Sequence, residues 1–330
     1  MKFHASSFVV AGMAALLCAC GGSGDDPSPP RGTQSVAITA GNQAGVARAT
    51  VNGGFSLALL QNETSNGTTS SPGSAVVAQR VLQRALRAAV SQRKSIASAS
   101  AQPLAGSTQT DPCAVSGSLV STWNDVDNNS QLSAGDVLTA NFQQCHDTST
   151  LSIDGVVTIT LTGTPTAMQF TANATFQGVT VVYGGVTYTL AGGVALNEVD
   201  TDTVSSSSFQ VGTAGLTATI ASTGYADSIA FDAGMMVTSS YLAGTSSLTM
   251  TGSFVSQAIG GRITLSTPQA LYQMAGDIYP SQGQVLVTGA SGSTLLVTVL
   301  NKTQVQLQVD ANGDGTVDGT TTTTWTALVP

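Results

Sequence analysis

Residues Asp111–Cys145 read DPCAVSGSLVSTWNDVDNNSQLSAGDVLTANFQQC. The stretch reads as a β-hairpin whose strands are tied near their base by a disulfide between Cys113 and Cys145. An acidic loop, Asp125 to Asp136, sits near its middle. The residues beyond Cys145 look like further strands added to this hairpin. Those before Asp111 look like the means of attaching it to a membrane.

Working toward the C-terminus, apolar and hydroxyl residues alternate. Val157, Ile159 and Leu161 alternate with Thr158, Thr160 and Thr162, and Leu216, Ala218 and Ile220 alternate with Thr217 and Thr219. Leu248, Met250, Gly252 and Phe254 do so with Thr249, Thr251 and Ser253, and Val305, Leu307 and Val309 with Gln304, Gln306 and Gln308. A period of two with one wet side marks half-buried antiparallel strands. Turn signals punctuate the run at Asp154-Gly155, Tyr183-Gly184-Gly185, Gly192-Gly193, Gly260-Gly261, Ser291-Gly292 and Asn312-Gly313. Their spacing predicts roughly a dozen or more strands in up-and-down order. The expected fold is mainly β: a large antiparallel up-and-down sheet, curled or barrel-like, over residues 112–330, with a short helical region before it. A transmembrane barrel needs aromatic girdles. With 5% aromatics this chain is expected to form a soluble sheet.

The chain has 330 residues, of which 42% are hydrophobic and only 8% charged, so it can form a substantial core. A net charge of −8 leaves no basic surface to replace phosphate counterions and excludes a nucleic-acid partner.

Toward the N-terminus, Met1-Lys2 precedes an apolar run, Phe8 to Leu17, too short to span a bilayer. Leu17-Cys18-Ala19-Cys20-Gly21 comes next and resembles a bacterial lipobox. The resemblance implies a signal peptide over 1–19, diacylglyceryl attachment at the Cys20 sulfur and acylation of its amine. Two or three acyl chains anchor a protein permanently. Gly21 in place of Asp favours the outer membrane, so the implied location is lipid-anchored there, on the periplasmic or exposed face. Residues 20–34 read as a flexible tether.

Residues 35–111 read as a partly helical region and linker. Asn42 to Val51 fits a helix, with Phe55 to Leu60 as its continuation or a short strand. A second helix is expected at about 75–96, where Val77, Val81, Leu82, Leu86, Ala89 and Val90 recur at helical spacing after Ser74 as N-cap. It carries Arg80, Arg84, Arg87, Arg93 and Lys94, half of the ten basic residues. A basic amphipathic helix can lie on anionic lipid. With no aromatic to seat at an interface, docking of its apolar stripe on the β domain is favoured.

The lipobox, the hairpin's DxDxN and LSAGD before Cys145, Tyr279-Pro280 leading to Val287-Thr-Gly289, and the closing Asp310 to Asp318 with Trp325 together resemble a set of uncharacterised β-rich proteobacterial lipoproteins. That resemblance covers most of the mature chain and implies localisation and architecture, with no assigned activity.

Two acidic stretches are candidate metal sites. Asp125, Asp127, Asn129, Gln131, Ser133 and Asp136 fall at positions 1, 3, 5, 7, 9 and 12 of a calcium-loop pattern. Ser130 stands where glycine usually permits the sharp turn, and Asp136 is shorter than the usual glutamate. The other reading is an Asx-rich turn. Asp310, Asn312, Asp314 and Asp318 form the second candidate, with Gly315 at the turn position but Thr321 where a closing ligand belongs. Its other reading is a type I′ hairpin turn at Asn312-Gly313. A structural Ca2+ is the cofactor expected of either loop, since neither has the histidines of a zinc or iron site.

Catalysis finds little support. His146 is the one histidine after the signal segment, and no G-x-S-x-G or HExxH motif accompanies it. The expected function is therefore a non-catalytic, lipid-anchored envelope protein serving as a structural or interaction module. The competing class is a carrier that encloses a lipid or another apolar ligand in the curled sheet.

Overall fold

The computed structural model describes residues 34–58, 85, 107–166, 169–200 and 204–329. Over these residues the chain forms one fifteen-stranded antiparallel sheet, curled around a helix, α1 (Gln43–Ala58). The first seven strands are β1 (Ser107–Pro112), β2 (Ser116–Asn124), β3 (Val137–Thr148), β4 (Leu151–Leu161), β5 (Gln169–Tyr183), β6 (Val186–Asp200) and β7 (Val204–Ser222). The rest are β8 (Tyr225–Phe231), β9 (Met236–Leu242), β10 (Thr245–Ser256), β11 (Gly261–Met274), β12 (Gln282–Thr288), β13 (Thr294–Val299), β14 (Gln304–Asp310) and β15 (Gly319–Thr324). A single helical turn, α2 (Trp325–Leu328), closes the chain.

The strands succeed one another in up-and-down order, as the alternation predicts. The apparent exception is β9, which pairs with β7 and β10. The registers resolve it: β8 and β9 occupy one lane between β7 and β10, interrupted at residues 232–235. Asp232 holds the interruption by accepting from the Ser253 hydroxyl and pairing with Arg262, while the Met235 carbonyl takes the Val211 N–H at 2.8 Å. The edge strands β1 and β15 do not pair with each other, so the sheet is curled and open.

Strands of 15 to 19 residues, such as β5, β6 and β7, exceed the usual 3–10. They are bent by a line of bulges running across the sheet. Two of the expected turns lie on this line inside strands. Asp154-Gly155 falls within β4 and Gly192-Gly193 within β6, and the register shifts beside both. Gly192 has φ 117, and a Cβ there would sit 2.4 Å from the Gly215 oxygen and 2.8 Å from the Leu216 Cα. Only glycine permits that approach of backbone to backbone. The same arrangement recurs at Gly117, Gly252 and Gly283. In the intervening strands one extra residue in β5 and three in β7 shift the inward set, from Ala172, Ala174 and Phe176 to Val179 and Val181, and from Phe209 and Val211 to Leu216, Ala218 and Ile220. One concave face thus stays apolar on both sides of the bend. Phe142, Phe176, Phe254, Ile159, Leu216 and Ile220 are among its fully buried side chains.

Helix α1 is buried on nearly every side. Val46, Ala47, Ala49, Thr50, Val51 and Asn52 have 4% exposure or less. A helix with Gly53 and Gly54 inside is intrinsically poor. Here the glycines let it approach the sheet: a Cβ on Gly53 would lie 2.8 Å from the Phe254 ring, and one on Gly54 2.6 Å from the Met250 sulfur. Tertiary packing overrides propensity, and the helix continues through Phe55 to Ala58 with no short strand.

The sheet begins at Ser107, inside the stretch read as linker. Of the expected second helix, only Ala85 is described, and it is helical and fully buried against the core. The rest of that helix, the lipobox with Cys20 and the tether up to residue 33 lie outside the described residues.

Candidate functional site

The opening hairpin is β2 paired with β3, from Asn124↔Val137 to Ser116↔His146. Cys113 and Cys145 are disulfide-bonded at its open end, with Cα atoms 5.4 Å apart. Alternation of strand direction puts this bridge at one end of the sheet and the acidic loop at the other.

In that first loop, three carboxylates converge. Oxygens of Asp125, Asp127 and Asp136 lie within 4.8 Å of one another, and Asp125 and Asp136 are only 4% and 1% exposed. Backbone donors hold them in place. Asp125 accepts the N–H of Asn129 at 3.2 Å and of Ser130 at 2.6 Å. Asp136 accepts the N–H of Val126 at 2.9 Å and of Ser133 at 2.8 Å. The Ser133 hydroxyl donates to Asp127 at 3.0 Å and approaches Asp136 at 3.3 Å. Asn129 turns its amide nitrogen to Asp127, while its oxygen accepts the Gln131 N–H at 2.6 Å. Ser130 adopts φ 62, the left-handed conformation that glycine fills at this position of a calcium loop. The serine therefore does not block the turn.

Asp127 titrates below the ordinary carboxylate range. Desolvation is the largest single influence and raises it, but the hydrogen bonds from Ser133 and Asn129 together outweigh that.

The second loop, Ala311 to Asp318, joins β14 to β15 and repeats the same ladder. Asp310 accepts the N–H of Gly313 at 2.7 Å and of Gly315 at 2.8 Å. Asn312 accepts from the Asp314 N–H, and Asp314 from the Thr316 N–H. These bonds hold Asp314 below its usual pKa, with the Thr316 N–H the main cause and the Asn312 amide next. Gly315 has φ 85, matching Ser130 five residues after the leading aspartate. The closing acid also matches: Asp318 accepts the Ala311 N–H as Asp136 accepts that of Val126. The eight-residue loop replaces the expected two-residue turn, because Asp310 organises the backbone and Asn312 does not enter the positive-φ region. Asp310, Asp314 and Asp318 do not form a cluster of three converging carboxylates among the described residues.

A polar group inside the curl went unread in the sequence. Asp227, 4% exposed on β8, accepts from the Tyr225 hydroxyl at 2.9 Å, the Ser256 hydroxyl at 2.7 Å and the Ala258 N–H at 2.9 Å. The Arg48 guanidinium of α1 lies 4.4 Å over the Tyr225 ring. Burial pushes the Tyr225 phenol up, and the Asp227 charge adds to that. Asn52 ties the same helix to α2 through the Leu328 carbonyl at 3.0 Å. These groups fix the helix against the wall of the sheet. His146 lies on β3, paired with Ser116 across the base of the hairpin.

The chain matches no protein-family model, no curated protein and no solved structure.

Proposed function

We propose that this protein is a non-catalytic, lipid-anchored envelope module whose work is structural or interactive. The observation that carries this reading over the carrier is the placement of α1. The concave face, where an apolar ligand would lie, is occupied by the chain's own helix, with Gly53 and Gly54 packed to contact distance on Phe254 and Met250. A carrier needs a lined void of several hundred Å³. The Asp227 carboxylate inside the curl is also committed to donors of the fold.

The anchor would be Cys20, fourteen residues before Gln34. Gln34 enters the fold at the start of β11, where its carbonyl accepts the Arg262 N–H at 2.9 Å. That end also carries the Asp310 loop and the disulfide. A flexible tether of this length spans on the order of 20 Å. The disulfide end would therefore face the lipid, and the Asp125 loop would face away. In the same reading Ca2+ is a structural ligand of the Asp125 loop, where three carboxylates converge.

The test is Cys20→Ser in the native host. The variant should lose its acyl chains and appear in the soluble periplasmic fraction. Full retention in the outer membrane would end the lipoprotein reading.

A further inference from the structure

The two edges of the sheet are built differently. At one edge β1 ends in Asp111-Pro112. Proline offers no N–H, and a carboxylate on an edge repels an incoming strand, so this edge is guarded. At the other edge β15 reads GTTTTT and runs into Trp325 and Thr326. It has no charge and no proline, and its residues are β-branched, the type that favours strands. Thr320, Thr321, Thr322 and Thr324 are exposed, so this strand is wet on both faces.

Register fixes which backbone groups point outward. β15 pairs with β14 from Gln304↔Thr324 to Val309↔Gly319, and the Trp325 N–H bonds the Thr303 carbonyl at 3.2 Å just beyond. In an antiparallel ladder the bonded pairs alternate. Thr321 and Thr323 therefore turn their N–H and C=O groups to β14, and Thr320, Thr322 and Thr324 turn theirs to the open side. Among the described residues no strand pairs with that side.

We propose that β15 is a dimerisation edge, and that its occupant is β15 of a second copy of this chain. The strands would run antiparallel about a two-fold axis through Thr322. The backbone row would accept any strand, but the side chains select this one. Thr320 to Thr324 reads the same in both directions, so the axis sets Thr322 against its own copy and Thr320 against the copy's Thr324. Facing threonines stabilise an antiparallel pair, and an isologous contact requires this self-match. The chain carries a net charge of −8, and β15 adds no charge of its own where the two copies would meet. The nearest acid, Asp318, is turned into its own loop by the Ala311 N–H at 2.7 Å. Pairing would continue the polar row of Gln304, Gln306 and Gln308 across the axis.

The experiment uses the full chain and three single substitutions. Light scattering should give the wild-type protein twice the mass of its single chain. Thr322→Pro should make it monomeric yet still folded, with the melting temperature the wild type shows when diluted until it dissociates, since the Thr322 N–H makes no bond to β14. Thr322→Cys should give a covalent dimer on a non-reducing gel, and Thr320→Cys should not, because it faces the copy's Thr324. A monomeric wild type would overturn the proposal, as would a dimer that survives Thr322→Pro. Equal cross-linking at both cysteine positions would overturn the two-fold pairing.

Discussion

The Asp125 and Asp310 loops share one hydrogen-bond ladder and differ in how it is closed. In both, the leading aspartate accepts the N–H of the residue five positions on, and that residue has a positive φ. The last acid returns to the N–H just after the leading aspartate in both. The first loop spends twelve residues reaching its closing acid and gathers three carboxylates around a point, whereas the second closes in nine and does not. In sequence the second loop has the better turn residue, because Gly315 stands where the calcium-loop pattern wants glycine. Converging carboxylates, however, are found in the first. A positive-φ position can be filled by serine at a modest energy, but carboxylates that do not converge cannot share an ion. Spacing of the closing acid outweighs the identity of the turn residue.

The largest difference to test is covalent. The first hairpin is tied by Cys113–Cys145 across a sequence separation of 32, and the second has no such tie. Replacing both cysteines by alanine should cost about 3 to 4 kcal/mol in the chain-entropy account. Chemical denaturation would measure it. A loss below about 1 kcal/mol would mean that the bridge does not constrain the unfolded chain.

Next come the leading aspartates, compared without and with calcium. Without calcium, Asp310→Ala should cost about 2 to 3 kcal/mol, because it strands two N–H groups that bonded a charged oxygen. Asp125→Ala strands two as well but relieves repulsion among three carboxylates, so its cost should be about 1 to 2 kcal/mol. With calcium at ten times a millimolar dissociation constant, the wild type should gain about 1.4 kcal/mol. Asp310→Ala should keep that gain and Asp125→Ala should lose it. Calorimetry with and without calcium reads all four numbers. An equal gain in both variants would erase the distinction between the loops.

The smallest effect concerns the turn residues. Ser130→Gly should stabilise the first loop by about 0.5 to 1 kcal/mol, since it relieves a left-handed serine at φ 62. Gly315→Ala should destabilise the second by about 1 kcal/mol, since its φ is 85. Opposite signs from thermal unfolding support the shared ladder, and equal signs break it.

Much of the sheet was legible in the residues. Val305, Leu307 and Val309 are buried while Gln304, Gln306 and Gln308 are not, as a period of two requires. The cysteines could be paired because only two stand beyond the lipobox. The bend was not legible, because a positive-φ glycine gives the same signal in a turn and in a bulge. Gly184-Gly185 does turn the chain between β5 and β6, whereas Gly155 and Gly192 bend strands, and only the neighbours' registers separate the two. Helix α1 was visible as a helix, but its burial was not. Gly53 and Gly54 look like helix breakers until Phe254 and Met250 are set against them. The interior group around Asp227 could not be anticipated either, since Arg48 and Ser256 are far apart in sequence and reach Tyr225 and Asp227 only because α1 and β10 both pack beside β8.

The helix inside the curl is the observation on which the proposed reading as a module rests. The most direct test is native mass spectrometry of the protein released from its own membranes in mild detergent. The account predicts a mass equal to the chain from Cys20 plus its acyl groups, with no further apolar molecule retained once the detergent is stripped. A stoichiometric lipid or other apolar ligand that survives that step would contradict it.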